Sequence, residues 1–397
     1  MKKILFLGGA HMQTPPIEYA RKAGHYIITC DYLPSNPGHQ LAHEYFNIST
    51  TEKDKILEIA KSKNIDGIVA YASDPAAPTA AYVAEKLGLP GNPYESVNTL
   101  VRKDLFRKFL EKNNFNTPEN HVFTDYKTAL TWSKKIGFPV IIKPIDSSGS
   151  KGVYTIKDEE SFPLSYENAI KYSHTKKIII EKFILRQGSQ IDSDIFFING
   201  DLAFWYWGDQ YQDTECNANA PIGISYPSTL PDDRQMLAAS EIERLLKLLK
   251  IKDGAFNVEF IFDDKGQLWI IEIGPRNGGN LIPELIYKST GADLVKWTVD
   301  TALGFKPPQN FIFDKIKSCA SYILHSNRSG ILKEIKFSEE IKSKITTSNK
   351  YTEYGEKVEK YNNSQNSIGS VVIEFKDNDE MFYILSNIED FISVELI

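Results

Sequence analysis

Two carboxylates, Glu259 and Glu272, followed by the guanidinium of Arg276, carry the densest chemistry in the chain. Residues 255–262 and 267–273 are β-branched and aromatic runs separated by Asp263-Asp264-Lys265-Gly266, which predicts a hairpin. With Phe262 facing Gln267, Glu259 faces Ile270 and Asn257 faces Glu272. The two glutamates are then diagonal neighbours on one face, roughly 7–8 Å apart or less. Carboxylates that close repel unless a cation sits between them. Magnesium suits such a place, because it is usually held by one or two carboxylates together with substrate phosphates. Arg276 adds a fixed positive fork suited to phosphate. An exposed hairpin with an acidic wet face is the competing reading of this segment alone.

A second group points the same way. Lys143 ends the apolar run Pro139–Pro144 and precedes Ser147-Ser148-Gly149-Ser150-Lys151-Gly152. Small residues let backbone N–H groups approach phosphate oxygens closely. The loop joins two strands and lacks G-x-x-x-x-G-K-[ST], so it is not a Walker loop. A surface hairpin remains the alternative for the loop taken by itself.

The elements that must position these residues fall into three parts. Residues 1–90 alternate short apolar runs (Ile4–Leu7, Tyr26–Cys30, Gly67–Tyr71) with helical segments (Ile17–Lys22, Lys53–Ser62, Ala76–Leu87), predicting a parallel sheet covered by helices. Gly8-Gly9-Ala10-His11-Met12-Gln13 is not G-x-G-x-x-G, so a dinucleotide site is disfavoured. Residues 91–102 read as a Pro/Asn/Ser-containing link and Lys103–Asn113 as an amphipathic helix. Helices follow at Tyr126–Lys135 and Asp232–Lys250, and a hairpin turns about Asn199-Gly200. Lys306-Pro307-Pro308 marks a break before a mixed strand-helix segment. The expected boundaries are 1–102, 103–308 with a lid at about 113–184, and 309–397.

The 397 residues exceed what one core usually serves. With 42% apolar and 25% charged residues the composition is globular, and a net charge of −6 argues against a nucleic-acid or anionic-membrane partner. Cys30, Cys216 and Cys319 are too far apart for a disulfide framework or a Cys-x-x-Cys pair, so a cytoplasmic setting is expected. No apolar run approaches the roughly 18 residues of a membrane span. The seven histidines show neither H-E-x-x-H nor paired spacing, and no zinc site is expected. Ser73-Asp74, at the end of a strand, reads either as a substrate contact or as a helix N-cap.

In order and spacing, Val140-Ile141-Ile142-Lys143-Pro144, the Ser/Gly loop, Glu181-Lys182-Phe183-Ile184 and Glu259…Glu272-Ile273-Gly274-Pro275-Arg276 resemble the ATP-grasp superfamily. The nearest branch is that of the carboxylate–amine ligases, with biotin carboxylase, carbamoyl phosphate synthetase and glycinamide ribonucleotide synthetase. The resemblance implies an α/β chain, α+β in its ATP-grasp part: a Rossmann-like first domain, a two-subdomain ATP-grasp fold and a small carboxyl-terminal α+β lobe. It further implies that Lys103 and Lys143 reach the phosphates of ATP and that Ser148, Gly149, Ser150, Lys151 and Gly152 close over them. Glu181, Lys182, Phe183 and Ile184 would form the adenine hinge. Gln190 stands where a glutamate usually binds ribose. Glu259 and Glu272 would hold two Mg2+ ions, with Mn2+ an alternative, and Arg276 would stabilise the transferred phosphoryl group.

The family's usual Glu-Ile-Asn-Pro-Arg has Gly274 in place of asparagine here, which removes a common metal ligand. Water or Asn280 would replace it, and asparagine at position 274 is expected to be tolerated. The implied activity is an ATP-dependent ligase that forms a carbon–nitrogen bond from a small carboxylate and an amine through an acyl phosphate. A bicarbonate-activating enzyme is the alternative within that class, and a nucleotide-binding regulatory protein the alternative outside it. Nucleic acid and membrane are excluded as partners, and a homodimer is compatible with the resemblance.

Overall fold

The computed structural model describes residues 1–309, 311–313 and 316–397. Strands β1 (Lys3–Leu7), β2 (Tyr26–Asp31), β3 (Glu44–Asn47) and β4 (Gly67–Ala70) form a parallel sheet in the order β3-β2-β1-β4. Side chains alternate across β1. Ile4 and Phe6 pack with Ile17 and Val299 on one face, while Leu5 and Leu7 pack with Ile56, Ile59 and Val83 on the other. Burial on both faces explains why these strands read as continuous apolar runs. The edge strand β3 has half-exposed residues and too little apolar pattern to be read from sequence.

Residues 91–102 are not a plain link. Tyr94–Val101 is a helix that buries Val97 and Leu100, and the Pro and Asn residues sit ahead of its first turn. The next helix, Lys103–Lys112, buries Phe106 and Leu110 on one side and aims Lys103 at the central cleft.

Strands β5 (Asn120–Phe123), β6 (Val140–Pro144), β7 (Tyr154–Ile156) and β8 (Ile178–Lys182) form an antiparallel sheet in the order β5-β8-β6-β7. Helices Tyr126–Ile136 and Phe162–Lys171 cover one face through Ala129, Phe162 and Tyr166.

The remaining strands are β9 (Gln190–Ile198), β10 (Asp201–Phe204), β11 (Gly208–Gln212), β12 (Pro221–Tyr226), β13 (Gly254–Phe262), β14 (Leu268–Gly274), β15 (Cys319–Leu324), β16 (Gly330–Phe337), β17 (Ile345–Lys350), β18 (Lys357–Val358), β19 (Gly369–Glu374) and β20 (Ile392–Leu396). One sheet runs β14-β13-β9-β11-β12-β15-β19-β17, with β10 beside β9, and β18-β16-β20 form a small separate sheet. Since β15 pairs directly with β12, the large sheet continues across the Lys306-Pro307-Pro308 segment. Helix Asp232–Leu248 covers its first half by burying Ala238, Ile242, Leu245 and Leu246 against Phe256, Val258 and Phe260.

The hairpin of β13 and β14 differs from the expected register. Phe262 pairs with Leu268, and an irregularity after Glu259 leaves Ile271 unpaired, so Glu259 faces Glu272 directly rather than diagonally. The turn is one residue longer because Asp263 organises it. Its Oδ1 accepts from the N–H groups of Lys265 at 3.0 Å and Gln267 at 2.8 Å, and Gly266 takes φ +73°. The bulge then moves Glu272 onto the rung of Glu259.

Candidate active site

Three adjacent strands place three carboxylates abreast. Asp192 on β9 pairs with Glu259 on β13, which pairs with Glu272 on β14. The next rung carries Asp194, Asn257 and Gly274. Asn257 Nδ2 donates to Asp192 Oδ1 at 2.7 Å and to Asp194 Oδ1 at 3.2 Å, tying the two rungs together. Gln190 Nε2 donates to Glu259 Oε2 at 2.7 Å, so that amide nitrogen is already engaged with the acidic row.

Burial, reinforced by Asp192 and Glu272, pushes the Glu259 carboxyl up to about 8. Burial likewise raises Asp192 to about 6. A row of carboxylates held this way, Asp192 buried and Glu259 and Glu272 half-buried, has the donor chemistry for a hard divalent cation, and the residues fit magnesium.

A pH dependence follows. A carboxyl whose folded value exceeds its unfolded value binds a proton on folding, so its contribution weakens as pH rises. Thermal melts of the metal-free protein are therefore expected to lose stability as pH rises from about 4.5 to about 8 through Glu259. Glu259→Gln should reduce that slope, Asp192 and Asp194 keeping the rest, and an unchanged slope would remove Glu259 as a source.

Positive charge surrounds the row. Lys103 Nζ lies 3.4 Å from Glu272 Oε2 and donates to the Ser147 carbonyl at 2.8 Å, bridging the acidic row and the Ser/Gly loop. Lys143 Nζ donates to Glu181 Oε2 at 2.7 Å. Glu181 also accepts from Arg107 Nε at 2.7 Å and Nη2 at 3.3 Å. Burial alone would raise the Glu181 carboxyl, yet Arg107 and Lys143 hold it down at about 2. Burial lowers Lys143, and Glu181 opposes that effect. Arg107 Nη2 continues to the carbonyl of the bulged Ile271 at 3.0 Å, and Nη1 to that of Ile270 at 3.4 Å.

Arg276 Nη2 donates to Asp74 Oδ2 at 2.7 Å. Asp74 thus faces the site and does not cap the following helix, whose N-cap is Ala76. Gly274 does not have a left-handed backbone. Its lack of a side chain matters because a Cβ there would sit 2.8 Å from both Arg276 Cζ and Asp74 Oδ1. Asparagine at 274, expected to be tolerated, would therefore have to displace the ion pair that fills the space.

Asp192, Glu259 and Glu272, with Lys103, Lys143, Arg276 and Asp74, open on one cleft of about 760 Å³. It collects Lys103, Lys143, Ser148, Gly149, Ser150, Lys151, Glu181, Lys182, Phe183, Ile184, Gln190, Glu259, Glu272 and Arg276. Gly152 lies outside that lining, behind the loop, where a Cβ would meet Pro144 Cγ at 2.8 Å. Lys182 turns its ammonium to the Ile136 and Gly137 carbonyls, and its backbone N–H donates to the Glu119 carbonyl. The backbone N–H of Phe183 lies 3.4 Å from the Pro139 carbonyl. Ser150 Oγ donates to the Asn219 carbonyl at 2.8 Å, and Ser364 N–H approaches the Gly149 carbonyl at 3.3 Å. The loop is thus seated against both the β11–β12 connection and the carboxyl-terminal third.

Sequence reasoning missed Arg107, Asp192 and Asn219. Only Asp192 left a signal: Gln190, Asp192 and Asp194 alternate along an otherwise apolar strand, which marks a polar face turned inward.

Residues 102–309 match the family described as "Carbamoyl-phosphate synthase L chain, ATP binding domain". The chain belongs to this ATP-grasp family. The carbamoyl phosphate synthase large chain of Pseudothermotoga lettingae is 32% identical over 271 residues, 67% of this chain and 24% of that protein. This ATP-grasp chain therefore spans about a quarter of that relative's length. Among solved structures, an L-amino acid ligase from Bacillus licheniformis aligns with TM-score 0.84 at 20% identity, over 100% of this chain and 99% of the other. Phosphoribosylglycinamide synthetase from Anaerococcus prevotii aligns with TM-score 0.75 at 24% identity, over 100% of both chains. At those identities the likeness is one of fold, and it extends the ATP-grasp architecture along the whole chain. No helix among the described residues is long and apolar enough to cross a membrane.

Proposed function

We propose that the protein is an ATP- and magnesium-dependent ligase that joins a small carboxylate to an amine through an acyl phosphate. The observation that carries this reading is the row Asp192–Glu259–Glu272 in one cleft with Lys103, Lys143 and Arg276. Glu259 and Glu272 would hold magnesium, which when bound would neutralise phosphate charge. Lys103 and Lys143 hold the phosphate chain from two sides, Lys143 being fixed by Glu181. Backbone groups of residues 148–151 close over it, and the hinge at residues 182–184 faces the base.

A carboxylate oxygen of the substrate attacks the γ-phosphorus while the bond to the bridging oxygen breaks and ADP leaves. The amine then attacks the acyl carbon, phosphate departs, and the amine proton passes to solvent. Arg276, oriented by Asp74, stabilises charge on the transferring group.

The test is phosphate release from ATP across a panel of carboxylates and amines, bicarbonate included, with products identified by mass. Release that requires both an acid and an amine supports the reading. Nucleotide binding with no turnover for any pair would favour the regulatory alternative, and release with bicarbonate alone would favour a carboxylase.

The same assay reads the close packing at Gly274. Gly274→Ala is expected to lower turnover more than melting temperature, because its Cβ displaces Arg276 and Asp74 rather than straining the backbone. Wild-type turnover in that variant would show that the ion pair has no bearing on rate.

A further inference from the structure

Away from the acidic row, Asp213, Cys216 and His325 bring a carboxylate oxygen, a thiol sulfur and an imidazole nitrogen within 4.8 Å of one another. Asp213 and Cys216 follow β11, and His325 follows β15. Both strands pair antiparallel with β12 and so run parallel to each other, which opens their carboxyl ends on the same edge of the sheet. More than a hundred residues separate the two segments, so histidine spacing alone gave no hint of the cluster.

The tautomer of His325 makes the cluster informative. Its Nδ1 lies 2.8 Å from the Ile323 carbonyl oxygen, which only accepts, so Nδ1 carries hydrogen. In the neutral ring Nε2 then presents a lone pair, and it faces Asp213 Oδ2 at 3.2 Å. Two electron-rich atoms remain that close only with a proton or a metal ion between them. Asp213 Oδ1 is committed elsewhere, accepting from the N–H groups of Glu215 at 2.7 Å and Cys216 at 3.3 Å. That leaves Oδ2 to face the ring. Tyr361 and Tyr322 flank the imidazole, with ring centroids at 5.0 and 5.8 Å.

Zinc bonds nitrogen and oxygen at about 2.0–2.1 Å, and tetrahedral geometry then separates the two ligands by about 3.3 Å. The observed separation matches. An imidazole whose other nitrogen donates to a backbone carbonyl is the usual outer-shell arrangement of a metal-bound histidine. Cys216 adds a soft donor that magnesium does not favour and zinc does. Ligation through its thiolate would release the thiol proton to solvent.

We propose that Asp213, Cys216 and His325 form a binding site for a transition-metal ion of the zinc class, with a fourth position open to water. The site sits at the root of the β11–β12 connection. Asn217 Nδ2 donates to the Asn362 carbonyl at 2.8 Å, and the Asn219 carbonyl holds Ser150 of the phosphate-binding loop. An ion there fastens the segment on which that loop rests.

The test loads the full chain with zinc, removes excess by gel filtration and measures metal content. Wild type should retain about one ion per chain more than Cys216→Ser or His325→Ala. Cobalt should produce a thiolate-to-metal absorption band in wild type that persists in Glu272→Gln, which separates this site from the acidic row. Zinc should also raise the melting temperature of wild type, a readout that does not depend on the variants folding. A protonated His325 bridging Asp213 without metal gives no retained ion. That result overturns the proposal, as does cobalt binding without the thiolate band or equal metal content in all three proteins.

Discussion

Arg107→Met is expected to destabilise the protein by about 3 kcal/mol, the low end of the cost of removing one partner of a buried ion pair. Arg107 and Glu181 are each only 3% exposed at their side chains. Without the guanidinium, Glu181 keeps Lys143 alone, and the carbonyls of Ile270 and Ile271 lose their donor. The low end applies because Lys143 still compensates part of the charge. The damage should also spread to function. Arg107 clasps both Lys143 on β6, through Glu181, and the bulge that sets Glu272 opposite Glu259. Urea unfolding gives the stability change, and nucleotide titration gives the second effect. Arg107→Lys should recover little, because an ammonium does not span a carboxylate and two carbonyls at once. A loss below about 1 kcal/mol would show that Lys143 alone neutralises Glu181.

Glu272→Gln should cut ATP turnover on the order of a hundredfold while changing nucleotide binding only a few-fold. The amide keeps the shape of the side chain and its place opposite Glu259, but removes one negative charge from the row. In the proposed function, binding draws mainly on the cleft walls, Lys103 and Lys143, whereas phosphoryl transfer would depend on the cation that the row would hold. Lys103 adds a second consequence. Its ammonium loses the partner at 3.4 Å and keeps only the Ser147 carbonyl. Steady-state rates at limiting magnesium, paired with nucleotide titration, separate the two effects. Turnover equal to wild type under those conditions would remove the acidic row from the chemistry.

Much of this cleft was legible in the sequence. Period-two alternation placed Glu259 and Glu272 on one face, and Lys143, at a strand end before small residues, does line the cleft wall. Local pattern did not carry the bulge. Nor did it carry the longer turn, in which Asp263 captures backbone amides, or the support that Arg107 gives the bulge from a distant helix. Arg107 itself looked like one charge on an amphipathic helix, because its partner Glu181 lies 74 residues away. The helix at Tyr94–Val101 was hidden by the Pro and Asn residues ahead of it, although Val97 and Leu100 have helical spacing. Gly274 looked like a lost ligand, because only folding shows that Asp74, just after β4, fills that space with Arg276.

The continuous sheet has one more consequence. Strand β12 carries Ile222, Ile224 and Tyr226, and β15, β19 and β17 cover its open side in turn. A chain shortened before Cys319 would leave β12 as a bare edge, a ready template for another copy. Such a fragment should associate between molecules, trading its own missing strands for a neighbour's. In the intact chain the edge passes instead to β17, whose run Ile345-Thr-Thr-Ser-Asn-Lys350 is mostly polar and a poorer template for a second copy.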